Sequence, residues 1–498
     1  MTINVILTDD ALLYVFDFYV AQASDVEAWH TLVHVCRRWR TLVFGSSRRL
    51  SLQIAFTNKN SVRELDVWPA LPIVITSLRE VDVWPALPVV ITSVGELNIW
   101  PDLPISLSAR FISSMDDIDN IQAALRHHND RVCQIKLYVP RSELAEVFAA
   151  LEAPFPLLTD LALRSLGAKD AIIPNPVKFM RGSINLRSLS FYDIPVPGIP
   201  ELLLSSTLVN LHQLHLDNIS PIGFFSPEAI VTALSTLTKL KVLVLKIETD
   251  EYQSDSDWEN RFLPPPTRTV LPSLTVLRLH GDNECLEVFM ARVDAPMLDH
   301  LNIAFNFFWD MVTGTSQLLW FISRTPNFQA PDTAHIGGEI NNYVATVWIN
   351  FSWLKQISKG VRIDCKNTTE TEIPRLAQFC RPPFFPLPTL KYLYIDMGGQ
   401  AVEDLFLDEV ENFQWLEILQ PFTAVKNLYL TKKIAPSIAH ALQDLAGERP
   451  MVLPALENIF IEFQSSGFVN EVIGKFTAER QLSGHPIGIY DWDRTGNT

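Results

Sequence analysis

The sequence predicts an α/β chain in two parts, a small three-helix segment at residues 1–56 and a long repeat solenoid at residues 57–498. A leucine pattern that returns throughout the second part, with helical segments between its copies, predicts the solenoid. The two parts differ in net charge. Residues 1–56 contain five acidic and five basic side chains, whereas the whole chain of 498 residues has a net charge of −16. All of the negative charge therefore belongs to the solenoid.

Composition excludes several classes of protein. Hydrophobic residues make up 48% of the chain and aromatic residues 10%, which is too much for a disordered protein. A net-negative surface repels phosphate, so we expect no binding to nucleic acid or to an anionic membrane. No apolar stretch reaches the roughly 20 residues that a membrane-spanning helix needs. Five scattered cysteines without a Cys-x-x-Cys pair are typical of reduced thiols, and we expect a cytoplasmic or nuclear protein.

The first 56 residues predict three short helices. Thr8 is predicted to N-cap a helix, and Leu12, Leu13, Phe16 and Tyr19 then recur at helical spacing and form one apolar face. Residues 24–27 have the Ser-x-x-Glu form of a capping box and begin a second helical run. A third apolar run ends before the Gly-Ser-Ser of residues 45–47 and contains Trp39, Leu42 and Val43. Such a segment buries little core, so we expect it to pack on a neighbouring domain or a partner.

Two stretches of this segment resemble the F-box family. The stretch 7–16, LTDDALLYVF, is similar to the opening F-box motif, and the stretch 32–42, LVHVCRRWRTL, is similar to the closing one. Thr8 departs from the family, which usually has a proline there that helps contact a Skp-type adaptor. The resemblance implies that an F-box at residues 1–56 binds such an adaptor. The implied motif residues are Leu7, Thr8, Leu12, Leu13, Phe16, Val35, Cys36, Trp39 and Leu42. The alternative is a small helical cap on the next domain.

A tandem duplication follows within residues 63–110. The 16 residues 63–78 return as 79–94 with three conservative apolar differences, and again more loosely from residue 95. Each copy predicts a short strand, a Trp-Pro turn and a second apolar strand. The repeated tryptophans are interpreted either as a packing ladder or as a ladder that stacks on a ligand.

Beyond the duplication, Leu-x-x-Leu-x-Leu recurs with a mean spacing of about 29 residues, and helical segments lie between its copies. This arrangement of strand, turn and helix is that of a leucine-rich-repeat horseshoe, in which each unit completes its core by stacking on its neighbours. Residues 57–498 are therefore predicted to form one irregular solenoid domain. The middle leucine positions are Ile135, Leu161, Leu189, Leu214, Leu243, Leu277, Leu301, Ala334, Val361, Leu393, Leu428 and Ile459.

Strand alternation turns the residues beside each leucine onto the concave sheet, which solenoids use for binding. The alternative for any one of them is an ordinary solvated position. Candidate target-binding residues on this face are Tyr192, His215, Asp217, Arg278, His280, His300, Tyr392, Tyr394, Tyr429 and Phe460. No phosphate loop, nucleophile elbow or His-Glu-x-x-His motif occurs, and the histidine pairs have no third ligand at a suitable spacing. We therefore expect no catalytic residues, no cofactor and no metal site.

Together with the repeat, the F-box resemblance extends to F-box proteins with leucine-rich tails that are expanded in mushroom-forming fungi. It implies a non-catalytic substrate-recognition subunit of a Skp-cullin-F-box ubiquitin ligase, whose solenoid binds a target protein for degradation. The alternative is an interaction scaffold that does not engage the ubiquitin machinery, and an enzyme is a more distant one. If the concave face shares the charge of −16, its targets are expected to be basic.

Overall fold

The fold comes from a computed structural model, in which the chain divides into two compact units, Met1–Phe225 and Ser226–Thr498. The structure describes residues 7–22, 32, 35–45, 54–55, 73–77, 105–109, 121–122, 125–127, 129–166, 183–194, 198–205, 208–219, 227–247, 268–305, 316–341, 344–352, 359–367, 389–397, 415, 418–432, 434–444, 452–462 and 467–493. None of the helices in these ranges is long and apolar enough to cross a membrane.

The described residues near the start of the first unit include two helices, α1 (Asp9–Gln22) and α2 (Arg37–Gly45), and most of the predicted second helical run lies outside those residues. The predicted cap of α1 is confirmed, because the Thr8 hydroxyl accepts a hydrogen bond from the Ala11 N–H at 3.3 Å. Asp9 and Asp10 in the first turn favour this end of the helix electrostatically. The predicted capping box at residues 24–27 lies outside the described residues, and so does the predicted boundary at residue 56.

A parallel sheet follows, in which each strand pairs with the next along the chain. Its strands are β1 (Ile54–Ala55), β2 (Ile73–Ser77), β3 (Ile105–Ala109), β4 (Val132–Pro140), β5 (Asp160–Leu166), β6 (Ser188–Tyr192) and β7 (Gln213–Ile219). Helix α3 (Leu144–Ala150), preceded by a 3-10 turn at Arg141–Glu143, follows β4, and α4 (Ile199–Leu203) follows β6. Strand β2 belongs to the first copy of the duplication, whereas the second copy is not among the described residues.

The second unit contains a larger sheet with helices between its strands. The strands are β8 (Val242–Ile247), β9 (Thr269–Val270), β10 (Val276–Gly281), β11 (Val293–Asp294), β12 (His300–Phe305), β13 (Thr333–Asn341), β14 (Val344–Ser352), β15 (Gly360–Asn367), β16 (Tyr392–Met397), β17 (Asn427–Leu430), β18 (Asn458–Glu462) and β19 (Gly488–Trp492). The helices are α5 (Pro227–Leu234), α6 (Asn283–Arg292), α7 (Ser316–Arg324), α8 (Ala435–Asp444) and α9 (Gly467–Leu482). Strands β9 and β11 pair separately.

The predicted middle positions form the core in both units. They are aligned by strand pairing, for example Leu161 with Leu189 and Leu428 with Ile459, and these four side chains are at most 1% exposed. Helices lie between strands as predicted. The result is a mixed α/β repeat with parallel-dominated sheets, compatible with a leucine-rich-repeat-like fold.

The parallel pairing that is typical of a leucine-rich-repeat horseshoe is interrupted between Leu301 and Leu393. Strand β12 pairs with β15, β13 pairs with β16, and the unpredicted β14 lies antiparallel between β13 and β15. Only two residues separate β13 from β14, and a connection that short joins antiparallel strands, since a parallel crossover needs a dozen or more residues. The sheet order is therefore β8-β10-β12-β15-β14-β13-β16-β17-β18-β19, ending in β19, which was also missed.

Candidate functional site

The N-terminal helices divide the motif residues between a small core and the surface. Leu12, Leu13 and Phe16 are buried, as are Leu32 and Val43. The other motif residues are half-buried (Leu7, Cys36, Trp39 and Leu42) or exposed (Thr8 and Val35). The buried residues give the two helices a common core, so only part of the motif is available to a partner.

The two motif stretches are joined by direct contacts. The rings of Phe16 and Trp39 pack 4.8 Å apart between centroids with an interplanar angle of 58°. The Arg38 guanidinium donates to the Leu7 carbonyl oxygen at 2.8 Å and, through Nε, to Asp9 Oδ1 at 2.9 Å. Arg38 therefore ties α2 to the acidic N-terminus of α1.

An exposed apolar surface lies on the opposite side of α1. Tyr14, Val15 and Phe18 are 68%, 51% and 66% exposed, and Val15 and Tyr19 are one helical turn apart. The motif comparison did not identify these four residues. The sequence signal for Tyr14, Val15 and Phe18 was present, since these three apolar residues lie off the helix face that Leu12, Leu13, Phe16 and Tyr19 share. Large apolar side chains exposed together on one helix mark a surface for protein contacts.

The outward face of the first unit is polar. Tyr192, His215 and Asp217 lie at outward positions of β6 and β7 as predicted, and the Tyr192 hydroxyl and His215 Nδ1 are 3.2 Å apart. Arg164 on β5 forms an ion pair with Asp193 and lies 5.7 Å from the Tyr138 ring centroid. These contacts hold the side chains in place without creating an apolar patch.

Strands β10 and β12 carry basic and polar residues on the outward face of the second unit. Arg278, His280 and His300 are at outward positions of β10 and β12. Farther along, the Arg362 guanidinium lies 4.6 Å from the Trp348 ring centroid and donates to Asp364 Oδ1 at 2.8 Å. Trp348 and Asp364 are register partners on β14 and β15, so an arginine, an indole and a carboxylate form one cluster.

A row of stacked rings continues along the same face, one ring per strand. Its ring centroids are 4.3, 4.2, 4.4 and 5.2 Å apart, with interplanar angles between 6° and 25°. The sequence predicted three of the five rings, and Tyr392 is at an outward position beside them. We call this set the aromatic row: His335, Tyr394, Tyr429, Phe460 and Tyr490.

Three rings of the aromatic row, His335, Tyr394 and Tyr429, are electrically neutral at physiological pH. Burial lowers the pKa of His335 to about 4, so its imidazole is uncharged. Burial, together with the nearby Tyr429 hydroxyl, raises the pKa of Tyr394 above its ordinary value. The pKa of Tyr429 is also raised by burial. Neutral rings stack without charge repulsion, which is what a row of five in contact requires.

Trp492 packs across this row from β19. Its ring centroid is 5.9 Å from that of Tyr394 and 5.4 Å from that of Tyr429, at interplanar angles of 60° and 71°. Sequence reasoning missed His335, Trp348, Arg362, Tyr490 and Trp492. His335 and Arg362 lie beside the weak leucine positions Ala334 and Val361, and Trp348 lies on the unpredicted β14. Strand β19 lacks the leucine pattern, although its Gly-Ile-Tyr-Asp-Trp sequence alternates as a strand does.

Of the two histidine pairs in the sequence, His212 and His215 are the pair of which both members are described, and each has another partner. His212 Nδ1 lies 2.7 Å from the Asn210 carbonyl oxygen, and His215 contacts Tyr192. In the part of the chain that the structure describes, no three His, Cys, Asp or Glu side chains are grouped so that they could hold an ion.

Comparisons with known proteins find a likeness among solved structures. No family model matches the sequence, and no curated protein matches it. Among solved structures, the leucine-rich repeat-containing protein LegL7 from Legionella pneumophila is similar, with 13% sequence identity and a TM-score of 0.28. The match covers 68% of this chain and 94% of that one.

Proposed function

We propose that this protein is a substrate-recognition subunit of a Skp-cullin-F-box ubiquitin ligase. In this role α1 and α2 bind a Skp-type adaptor, and the outward faces of the sheets bind a target protein. The protein performs no covalent chemistry. It raises the concentration of the target beside a ubiquitin-charged partner, which is a proximity effect.

The observation that carries this proposal is the convergence of the two F-box-like stretches. They are separated in sequence, yet Phe16 packs against Trp39, and Arg38 bonds both Leu7 and Asp9. A helical cap on the next domain would turn its large apolar residues inward. Tyr14 and Phe18 are instead about two-thirds exposed, which supports a partner at this surface.

Capture of the adaptor from cell extract by the full-length protein tests the proposal. We expect the wild-type chain to retain both a Skp-type adaptor and a cullin. Val15→Asp and Phe18→Asp place a charge in an apolar interface, and each should weaken adaptor capture by at least about tenfold. Both side chains are exposed, so the substitutions leave the core intact.

Leu482→Asp is the matched control, because Leu482 is an exposed apolar residue at the end of α9, in the other unit. It should capture as much adaptor as the wild type. The ligase proposal is wrong if the wild-type chain retains neither adaptor nor cullin, or if the Val15 and Phe18 variants bind as the wild type does.

Thr8 supports a second candidate, an interaction scaffold that does not engage the ubiquitin machinery. Its hydroxyl caps α1 through the Ala11 N–H, so the residue serves the helix at the position where F-boxes usually have the adaptor-contacting proline. Thr8→Pro discriminates between the candidates. If only this variant captures the adaptor, the natural chain is a scaffold, and if both capture it, the ligase proposal stands.

A further inference from the structure

Glu462 and Trp492 provide a carboxylate and an indole ring, two groups that attract cations. The two residues are register partners on β18 and β19, on the outward face. Glu462 accepts a hydrogen bond through Oε2 from the Lys432 backbone N–H at 3.0 Å, which orients the carboxylate. An indole and an oriented carboxylate therefore project from paired positions of β18 and β19 on the outward face.

The indole of Trp492 turns one of its faces away from the aromatic row. Tyr394 and Tyr429 stack on each other and on further rings on both sides, so their own faces are covered. Trp492 meets both at steep angles, which means that the rims of the tyrosine rings point at an indole face. The opposite indole face points away from the row, and Trp492 is only half-buried.

The same chain contains a completed version of this arrangement. Trp348 and Asp364 are also register partners on adjacent strands, and Arg362, two residues before Asp364, fills the place between them. The residue two before Glu462 is Phe460, which belongs to the aromatic row. The indole and carboxylate of the second pair thus have no arginine from their own strand.

We propose that Trp492 and Glu462 bind an arginine side chain of the target protein. The guanidinium stacks on the outer face of the indole and donates to the free Glu462 oxygen, as Arg362 does with Trp348 and Asp364. The proposal deepens the proposed function, on which it rests for the existence of a target, by naming the target's chemistry. It commits to an extended segment that carries arginine.

Charge complementarity favours a cationic partner over an acidic or neutral one. On β16 to β19, as the structure describes them, the charged residues at outward positions are Asp396 and Glu462, and both are acidic. The chain as a whole has a net charge of −16. Arginine is preferred to lysine because its planar group stacks on a ring and pairs with a carboxylate at the same time.

Peptide titration of the purified full-length protein tests the site. The probes are four labelled decapeptides of glycine and serine that differ at two positions, which carry arginine, lysine, citrulline or glutamate. Fluorescence anisotropy should show the arginine peptide binding at least about threefold more tightly than the lysine peptide. Citrulline has nearly the same shape as arginine without its charge, and its peptide should bind at least about tenfold more weakly than the arginine peptide.

Substitutions at Trp492 and Glu462 should weaken binding of the arginine peptide. Trp492→Leu and Glu462→Gln should each weaken binding of the arginine peptide by at least about threefold, and Trp492→Phe should keep part of it. Trp320→Leu and Glu479→Gln are controls at an exposed tryptophan on α7 and an exposed glutamate on α9, and they should bind as the wild type does.

Three results would overturn the arginine site: no binding of the arginine peptide, equal binding of the citrulline or glutamate peptide, or unchanged binding by both pair variants. The titration contains no adaptor, so its outcome is independent of the capture experiment. Arginine binding without adaptor capture would leave the site intact on a scaffold. Adaptor capture without arginine binding would leave the ligase role and remove this site.

Discussion

The strand runs β4–β7 and β16–β19 are similar in the row of side chains that faces the core, here called the inward row. They differ in the row of side chains on the opposite face of the sheet, here called the outward row. Inward, the middle residues of β4–β7 and of β16–β18 are aliphatic and at most 1% exposed. Outward, the register row of the first run is Lys136, Ala162, Ser190 and His215, whereas that of the second is Tyr394, Tyr429, Phe460 and Tyr490. Stacking of repeats constrains the inward row, because each repeat completes its core on the next. The outward row is free to vary, so differences in binding belong there.

Truncation of the inward row should give the largest effect and should be alike in both runs. Leu189→Ala and Leu428→Ala each remove a fully buried side chain, and each should lower the free energy of unfolding by about 2–5 kcal/mol. Ile489→Ala, at the equivalent position of β19, should cost less than about 1 kcal/mol because Ile489 is 42% exposed. Urea unfolding of each variant measures this, and unequal losses at Leu189 and Leu428 would contradict a common inward row.

Glu287 and His335, two titratable groups of the second unit, should affect the pH dependence of stability in opposite directions. Burial raises the pKa of Glu287, whose carboxylate accepts the Gln317 and Leu318 N–H groups of α7, from 4.5 to about 7. The folded state then holds a proton that the unfolded state has lost, so this group makes the free energy of unfolding fall, by about 3 kcal/mol, as pH rises from 4.5 to about 7. The pKa of His335 is lowered from 6.5 to about 4, so the unfolded state binds a proton that the folded state does not hold. This group therefore makes the free energy of unfolding rise as pH increases from about 4 to 6.5.

Single variants separate these two contributions. Glu287→Gln should leave a protein whose free energy of unfolding rises from pH 4.5 to 6.5, and His335→Phe, which keeps an aromatic ring, should leave one whose free energy falls. Urea unfolding at a series of pH values measures both slopes. Identical slopes in the two variants would show that these groups do not control the pH dependence.

The hairpin that interrupts the parallel run should tolerate no side chain at Gly337. A Cβ there would lie 2.1 Å from the Trp348 ring, whereas a Cβ at Gly360 on β15 meets nothing nearer than 3.5 Å. Gly337→Ala should therefore destabilise the protein by about 1–3 kcal/mol, through displacement of Trp348. Gly360→Ala is the matched control and should change stability little. Thermal unfolding compares them, and an equal effect would mean that Trp348 moves aside freely.

The smallest expected effect concerns the outward rows themselves. Tyr429→Ala removes two stacking contacts and should destabilise the protein by about 1–2 kcal/mol. His215→Ala, at the outward row of β7, loses an edge contact with Tyr192 and should cost less than about 1 kcal/mol. Urea unfolding of the two variants measures both losses of stability. Equal losses would show that the aromatic row contributes binding surface and no stability beyond that of a polar row.

Sequence reasoning recovered the repeat more fully than the binding surface. The positions from Ile135 to Ile459 were predicted as inward, and they are aligned and buried because a leucine pattern reports burial directly. The antiparallel β14 was missed because its alternation resembles that of any strand. Alternation along a sequence does not show whether a strand pairs in parallel or antiparallel with its neighbours. Val15 and Phe18 were missed because a motif comparison favours recurring residues over exposed ones.

The sequence by itself determined the periodic core, the cap at Thr8 and the three aromatic residues Tyr394, Tyr429 and Phe460, since each depends on local spacing or residue type. Only the tertiary structure decided which residues share a row. His335 and Tyr490 join those three rings because β13 pairs with β16 and β18 pairs with β19. Trp492 is paired with Glu462 for the same reason. Register is set by pairing between strands that are distant in the chain, and spacing along one strand does not determine it.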